Sequence, residues 1–308
     1  MVGNGTRGQT TNPTTIMRND ILTRREFLAA TATAAALSPL ALIGAPPAKK
    51  SFRIGACDWS IGRTADVAAL DVAKQIGLDG VQVSLGTLAD DMRLRRPEVQ
   101  RQYKDAVKLS GVEVLSLAIG ELNSIPFKSD PRTIPWVSDS IDVCRALGCR
   151  VILLAFFHKN DLRDDKAGMD ETVRRLKKIA PKAEKAGVIL GIESWLSAED
   201  HMRLIDRVGS RAVQVYYDVA NSTERGYDIF REIRWLGKQG QICEFHLKEN
   251  GALLGQGRID FTKVRAALDD IGYRGPLQIE GAVPLGGKLI ESYVANRQFL
   301  RRIFPAGA

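Results

Sequence analysis

Residues 169–193 read MDETVRRLKKIAPKAEKAGVILGIE. Met169, Val173, Leu176, Ala180 and Ala183 follow one another at steps of 4, 3, 4 and 3, which lays one apolar stripe along a helix. Ala186-Gly187 then supplies a glycine, the residue that adopts the left-handed backbone which stops a helix. Val188–Ile192 is a short apolar run without polar alternation, as expected of a strand buried on both faces. Glu193 is the first charge after it. Helix, glycine stop, buried strand and one carboxylate at the strand's end form the unit.

The same unit recurs on both sides. Apolar runs predict strands at Phe52–Cys57, Gly80–Ser84, Glu113–Ala118, Arg150–Ala155, Val188–Ile192, Ala212–Tyr217, Ile242–Phe245 and Gly275–Ile279. Ile76-Gly77, Leu147-Gly148 and Ile271-Gly272 repeat the helix stop, and Asp260 is placed to cap a helix carrying Phe261, Val264, Leu268 and Ile271. Eight strands alternating with helices in roughly 250 residues predict an α/β fold, a single (β/α)8 TIM barrel over residues 50–305. An open doubly wound sheet would carry a glycine-rich phosphate loop after its first strand. Cys57-Asp58-Trp59-Ser60 is not one.

The first 48 residues are of another kind. Polar, Thr/Asn/Gly-rich sequence to Asn19 predicts a disordered leader. Thr23-Arg24-Arg25-Glu26-Phe27-Leu28 precedes an Ala/Leu-rich segment from Ala29 to Ala45 and the Pro46-Pro47 break. An arginine pair before a weakly apolar segment resembles the bacterial twin-arginine export signal. It predicts periplasmic or secreted localisation, the twin-arginine translocase as a transient partner, and no stable membrane span after cleavage. Without residues 1–48 the formal charge falls from +8 to +6.

That charge is dispersed: Arg93, Arg95, Arg96 and Arg101 alternate with acids, and Arg174, Arg175, Lys177 and Lys178 lie off a helix stripe. Solvated faces are expected, not a nucleic-acid surface. Cys57, Cys144, Cys149 and Cys243 sit in apolar segments and are expected as buried free thiols.

Residues at the C-terminal ends of barrel strands face the mouth. Those positions hold Glu193, Asp218, His246 and Glu280, one on each of four consecutive strands, at spacings of 25, 28 and 34. Three carboxylates without a cation would repel one another. With one imidazole they make a hard-to-borderline ligand set for one divalent ion, Mn²⁺ first, with Mg²⁺ or Co²⁺ as alternatives.

Gly191-Ile192-Glu193, Tyr217-Asp218-Val219-Ala220-Asn221, Phe245-His246-Leu247-Lys248-Glu249 and Gln278-Ile279-Glu280-Gly281 resemble the xylose-isomerase-like superfamily. Gly255-Gln256-Gly257-Arg258-Ile259-Asp260-Phe261 resembles its Gly-x-Gly loop. The resemblance implies that Glu193, Asp218, His246 and Glu280 hold the metal and that Glu193 and Glu280 are the catalytic acid and base. The sequence departs from the epimerase branch at Asn221, where that branch has histidine, and lacks its arginine after the strand-seven histidine. Lys248 supplies a cation instead, an arrangement shared with ketoinositol dehydratases and other lyases of the superfamily. The endonuclease branch needs further histidines for its three metals, and this chain has only His158, His201 and His246.

Moving a proton from carbon beside a carbonyl develops negative charge on the carbonyl oxygen, which a cation stabilises. With a glutamate on each face, one removes the proton and the other returns it. The expected function is a metal-dependent isomerase or epimerase acting on a non-phosphorylated sugar or polyol ketone through an enediolate. The alternative is a lyase or hydratase acting on a keto-sugar, keto-inositol or 3-keto-glycoside. A sugar-binding barrel without catalysis is the third reading. Lys248, Glu199, Asn221, His158, Glu121, Trp59 and Trp195 are the expected substrate contacts, and the chain is expected either alone or as a homo-oligomer.

Overall fold

The structure is a computed structural model, and it describes residues 52–306. The expected leader and signal segment lie outside the described residues. Eight parallel strands close in sequence order: β1 (Arg53–Cys57), β2 (Gly80–Ser84), β3 (Glu113–Ile119), β4 (Val151–Phe156), β5 (Ile189–Ser194), β6 (Val213–Asp218), β7 (Ile242–Leu247) and β8 (Pro276–Ile279). Closure is made by β1 on β8, with Ile54 opposite Leu277 and Ala56 opposite Ile279. The (β/α)8 barrel expected from the sequence is the observed fold.

The helices, in chain order, are α1 (Ala69–Ile76), α2 (Pro97–Ser110), α3 (Thr133–Leu147), α4 (Lys166–Ala186), α5 (Ala198–Val208), α6 (Val219–Glu224), α7 (Ile229–Lys238), α8 (Phe261–Asp270) and α9 (Leu289–Ile303). Gly77, Gly148 and Gly187 end α1, α3 and α4 in the left-handed conformation. Asp260 caps α8, accepting from the backbone N–H groups of Thr262 and Lys263. No helix among the described residues is long and apolar enough to cross a membrane.

Along each strand alternate side chains point outward. Ile54, Val81, Leu117, Ile152, Leu190, Val215, Phe245 and Leu277 belong to the large apolar layer between sheet and helices. α4 contributes Val173, Leu176, Ala180 and Ala183 to it, as its stripe predicts. Arg175 corrects the expectation of a solvated face: it is buried, pairs with Glu171, and donates to the carbonyls of Ser129 and Asp130. A second, smaller apolar cluster of Ala118, Leu153, Ala155, Phe157 and Tyr216 lies inside the barrel.

Candidate metal and proton-transfer site

Inward alternation delivers the predicted residues to one place. Glu193, Asp218 and His246 are the last inward positions inside β5, β6 and β7, and Glu280 follows β8 directly. One ligand atom from each lies within 4.8 Å of the others. His246 Nδ1 sits 2.9 Å from Glu193 Oε1, 3.6 Å from Glu280 Oε2 and 3.8 Å from Asp218 Oδ2. Its ring is wedged between Trp59 and Tyr216, at centroid distances of 6.0 and 4.6 Å.

Asp218 is placed by the turn it starts. Its Oδ1 accepts from the backbone N–H groups of Ala220 and Asn221, capping α6. Its Oδ2 is buried and has no hydrogen-bond partner. Burial pushes this carboxyl up to about 7, and the neighbouring Glu193 and Glu280 add to the rise against the pull of Lys248. Its nearest cationic groups, His246 Nδ1 at 3.8 Å and Lys248 Nζ at 4.0 Å, stand beyond hydrogen-bond reach; a buried carboxylate oxygen without a hydrogen bond is costly, and a cation shared with Glu193, His246 and Glu280 would satisfy it. The four residues fit a divalent ion.

Glu280 is held differently. Burial alone would raise its carboxyl, but the charges of His246 and Lys248, with hydrogen bonds from Lys248 and Trp59, bring it down to about 2. Trp59 Nε1 donates to Oε1 at 2.8 Å, and Lys248 Nζ donates to Oε2 at 2.9 Å. Burial works against the Lys248 ammonium, yet Glu280 and Asp218 hold it above its ordinary range. His246 is likewise raised: burial opposes the charge, and the carboxylates of Glu193 and Glu280 outweigh it.

Above this cluster opens a cavity of about 610 Å³ whose walls include Glu193, Glu280, Lys248, Asn221, Glu121, His158, Trp59 and Trp195. Asp218 and His246 lie beneath its floor, both buried. Of the expected substrate contacts, Glu199 alone falls elsewhere. It occupies the first turn of α5, where its side chain faces Arg231 at 3.7 Å in a separate groove. The six residues after Glu193 are spent turning the chain outward into the helix, so the spacing carries Glu199 away from the mouth. His158 takes a left-handed backbone, φ +51°, at the end of β4, a strain found at ligand sites.

Residues not expected at the site complete its surroundings. His246 Nε2 faces Gln82 Oε1 at 2.8 Å and Cys57 Sγ at 3.3 Å. Burial pushes the Cys57 thiol up to about 12, so it stays protonated. Asp58 accepts from the backbone N–H groups of Ala65 and Ser84 and from the Ser84 hydroxyl, pinning the β1 loop that carries Trp59. Arg225 lines the cavity and lies over the Trp195 ring at 5.3 Å.

The Gly-x-Gly loop is explained by contact. Glu249 accepts from the N–H groups of Arg258 and Ile259, and a Cβ on Gly257 would stand 2.1 Å from its Oε2. Gly255 has φ +80°, and a Cβ there would strike the Phe299 ring at 2.3 Å. All four cysteines are free, with Cys144 and Cys149 facing one another at 3.0 Å.

A barrel of this topology, with a carboxylate or imidazole at the C-terminal end of each of strands five to eight, defines the class, and the chain belongs to the family described as xylose isomerase-like TIM barrel, whose profile matches residues 70–303. Among individual proteins, it is 26% identical over 227 residues to 2-epi-5-epi-valiolone 7-phosphate 2-epimerase of Actinoplanes sp., covering 70% of this chain and 82% of that one. It is 26% identical over 235 residues to L-ribulose-5-phosphate 3-epimerase UlaE of Escherichia coli, covering 68% and 80%. Among solved structures, D-allulose 3-epimerase from Methylomonas sp. superposes with a TM-score of 0.68 at 15% identity, over 82% of this chain and 98% of that one. At that identity the likeness concerns the fold.

Proposed function

We propose that this chain is a divalent-metal-dependent isomerase or epimerase of a sugar or polyol ketone. The observation that carries the reading is the buried Asp218 Oδ2, without a hydrogen bond, among Glu193, His246 and Glu280 at the floor of a carbohydrate-sized cavity. Glu193, Asp218, His246 and Glu280 would hold the ion, Mn²⁺ first. When bound, such an ion supplies a positive charge for the oxyanion that develops beside the labile C–H bond.

The remaining work falls to side chains of this chain. Glu193 and Glu280 both reach the cavity from strands three positions apart, so a substrate between them meets a carboxylate on each side. One takes the proton from carbon and the other returns it. Trp59 and Lys248 fix the two oxygens of Glu280, leaving it one orientation toward the cavity. Trp59 and Trp195 offer ring faces to the C–H side of a sugar. Asn221, His158 and Glu121 supply hydroxyl-binding groups around the rim.

A non-phosphorylated substrate follows from the proposed route of export through the twin-arginine translocase to the periplasm or beyond. The named relatives include epimerases of sugar phosphates, so the substrate panel needs both kinds. A second reading, lyase or hydratase, is favoured by one feature. The Lys248 ammonium lies 2.9 Å from Glu280 and lines the cavity, where it could protonate a departing hydroxyl.

The test is exchange of carbon-bound hydrogen in D₂O, followed by NMR across ketoses, ketose phosphates, inososes and 3-ketoglycosides with Mn²⁺-loaded protein. Exchange that yields an epimer or isomer, lost on chelation and restored by Mn²⁺, is the expected result. A new double bond indicates the lyase. Tight metal binding without exchange in any candidate overturns the enzyme reading in favour of a binding barrel.

A further inference from the structure

We propose that Gln82 is a positioning residue for His246, and that a buried chain of hydrogen bonds ending at Glu244 dictates which ring nitrogen of His246 faces the carboxylates. The proposal deepens the metal reading above and rests on it. Glu244 lies two residues before His246 on β7 and is buried within the barrel. Its Oε1 accepts from the Ser116 hydroxyl at 2.7 Å, the Gln278 amide at 2.8 Å and the Tyr216 hydroxyl at 3.2 Å. A hydroxyl has one proton to give. Ser116 and Tyr216 spend theirs on Glu244, so toward Gln82 they can only accept.

The Gln82 amide nitrogen donates to both, at 3.0 Å each. Its two N–H bonds are thereby committed, and its carbonyl oxygen must point the other way, to His246 Nε2 at 2.8 Å. An oxygen there requires Nε2 to carry a proton. Nδ1, 2.9 to 3.8 Å from the three carboxylates, is then the nitrogen whose lone pair is free for an ion. The Cys57 thiol, which donates to the same Gln82 oxygen at 3.4 Å, agrees with this polarity. The direction holds with Glu244 ionised, when Oε1 can only accept, and equally with a proton on Oε2, an oxygen that has no hydrogen-bond partner of its own. Hydrogen-bond partners of metal-binding histidines orient the ring and raise its basicity, and losing one typically weakens metal binding by about 10–100-fold.

The test is Mn²⁺ titration of the full chain, reading free Mn²⁺ by electron paramagnetic resonance, for wild type, Gln82→Leu and Gln82→Glu. Gln82→Leu is expected to bind about 10–100-fold more weakly. Gln82→Glu, which as the neutral acid keeps a carbonyl oxygen at Nε2 and a hydroxyl that donates to Ser116 or Tyr216, is expected to recover most of the wild-type binding; a purely structural role would not be rescued this way. In Mg²⁺-loaded wild type with ¹⁵N-labelled histidine, the His246 ring proton is expected on Nε2, the resonance being assigned with His246→Gln. Wild-type affinity in Gln82→Leu, or the ring proton on Nδ1, overturns the proposal. Should Gln82→Leu fail to fold, the double variant Ser116→Ala with Tyr216→Phe removes both acceptors of the Gln82 amide while keeping a ring against His246. It is expected to weaken Mn²⁺ several-fold, and unchanged affinity there overturns the proposal equally. If wild type binds no Mn²⁺, the metal reading itself fails. The Nε2–H signal of metal-free protein, expected to shift in Gln82→Leu, then still decides the role of Gln82.

Discussion

The same eight strands carry two unlike faces. Outward, Val81, Leu117, Val215, Phe245 and Leu277 meet the helices in a continuous apolar layer. Inward, the next residues along, Gln82, Ser116, Tyr216, Glu244, His246 and Gln278, are polar or amphipathic, buried and hydrogen-bonded to one another. The outer layer tolerates any apolar group of the right volume. The inner one works only if every donor has an acceptor. Stability therefore concentrates on one side of the sheet and chemistry on the other. Substitutions should separate them.

The largest separation is expected at the inner rim. Glu193→Gln and Glu280→Gln each keep shape while removing a base, so each should lower kcat by about 10²–10⁴-fold, with melting temperature changed little. Steady-state turnover on whichever substrate passes the D₂O screen checks this, and either variant retaining wild-type kcat would remove its residue from the proton transfer. Next comes the outer layer. Leu176→Ala on α4 empties a fully buried position and should cost about 2–5 kcal/mol in denaturant unfolding. Its kcat at 25 °C should stay within about twofold. A large kcat loss there would show that the two faces are coupled through the strands.

The outer layer was legible because it repeats. Met169, Val173 and Leu176 announce a helix wherever they fall, and an unbroken run such as Val151–Phe156 announces a strand covered on both sides. Glu193, Asp218, His246 and Glu280 were legible for a related reason, since each stands at the end of such a run and topology alone brings four consecutive ends together. Gln82, Ser116 and Glu244 give no such signal. They interrupt apolar runs singly, and their partners lie 25 to 164 residues away in sequence, where only closure of the barrel joins them. Glu199 failed for the opposite reason: a spacing suited to the mouth, with Ser197 capping α5, turned the side chain outward.

A third effect lies between the faces, at His201 under the β5 loop. Its Nδ1–H donates to the Ser197 carbonyl at 3.0 Å, and its Nε2 accepts from the Ser194 hydroxyl at 2.9 Å. Burial opposes the charged form and lowers this histidine from 6.5 to about 4. The unfolded chain binds the proton first as pH falls, so this stabilisation is present above about pH 6.5 and disappears progressively toward pH 4. The shift corresponds to about 3 kcal/mol. Unfolding free energies between pH 4 and pH 7 should fall less steeply in His201→Gln than in wild type by about that amount. Parallel curves would mean that His201 is not held neutral by burial.

The smallest effect tests whether the orientation of Glu280 matters beyond its charge. Trp59→Phe retains a ring against His246 but removes the 2.8 Å hydrogen bond to Glu280 Oε1. Lys248 still grips Oε2, so the carboxylate stays ionised and keeps its place while regaining rotation about its last bond. A hydrogen bond to a charged group is worth about 1.5–3 kcal/mol. Because Lys248 preserves part of the alignment, the lower end applies, about tenfold in kcat. KM should move less than kcat, since the indole ring face that would meet a sugar is replaced by another aromatic face. A KM change alone, with kcat intact, would make Trp59 a wall of the cavity rather than a guide for the base. The inner face would then extend only to the strands and not to the loop that Asp58 pins beside them.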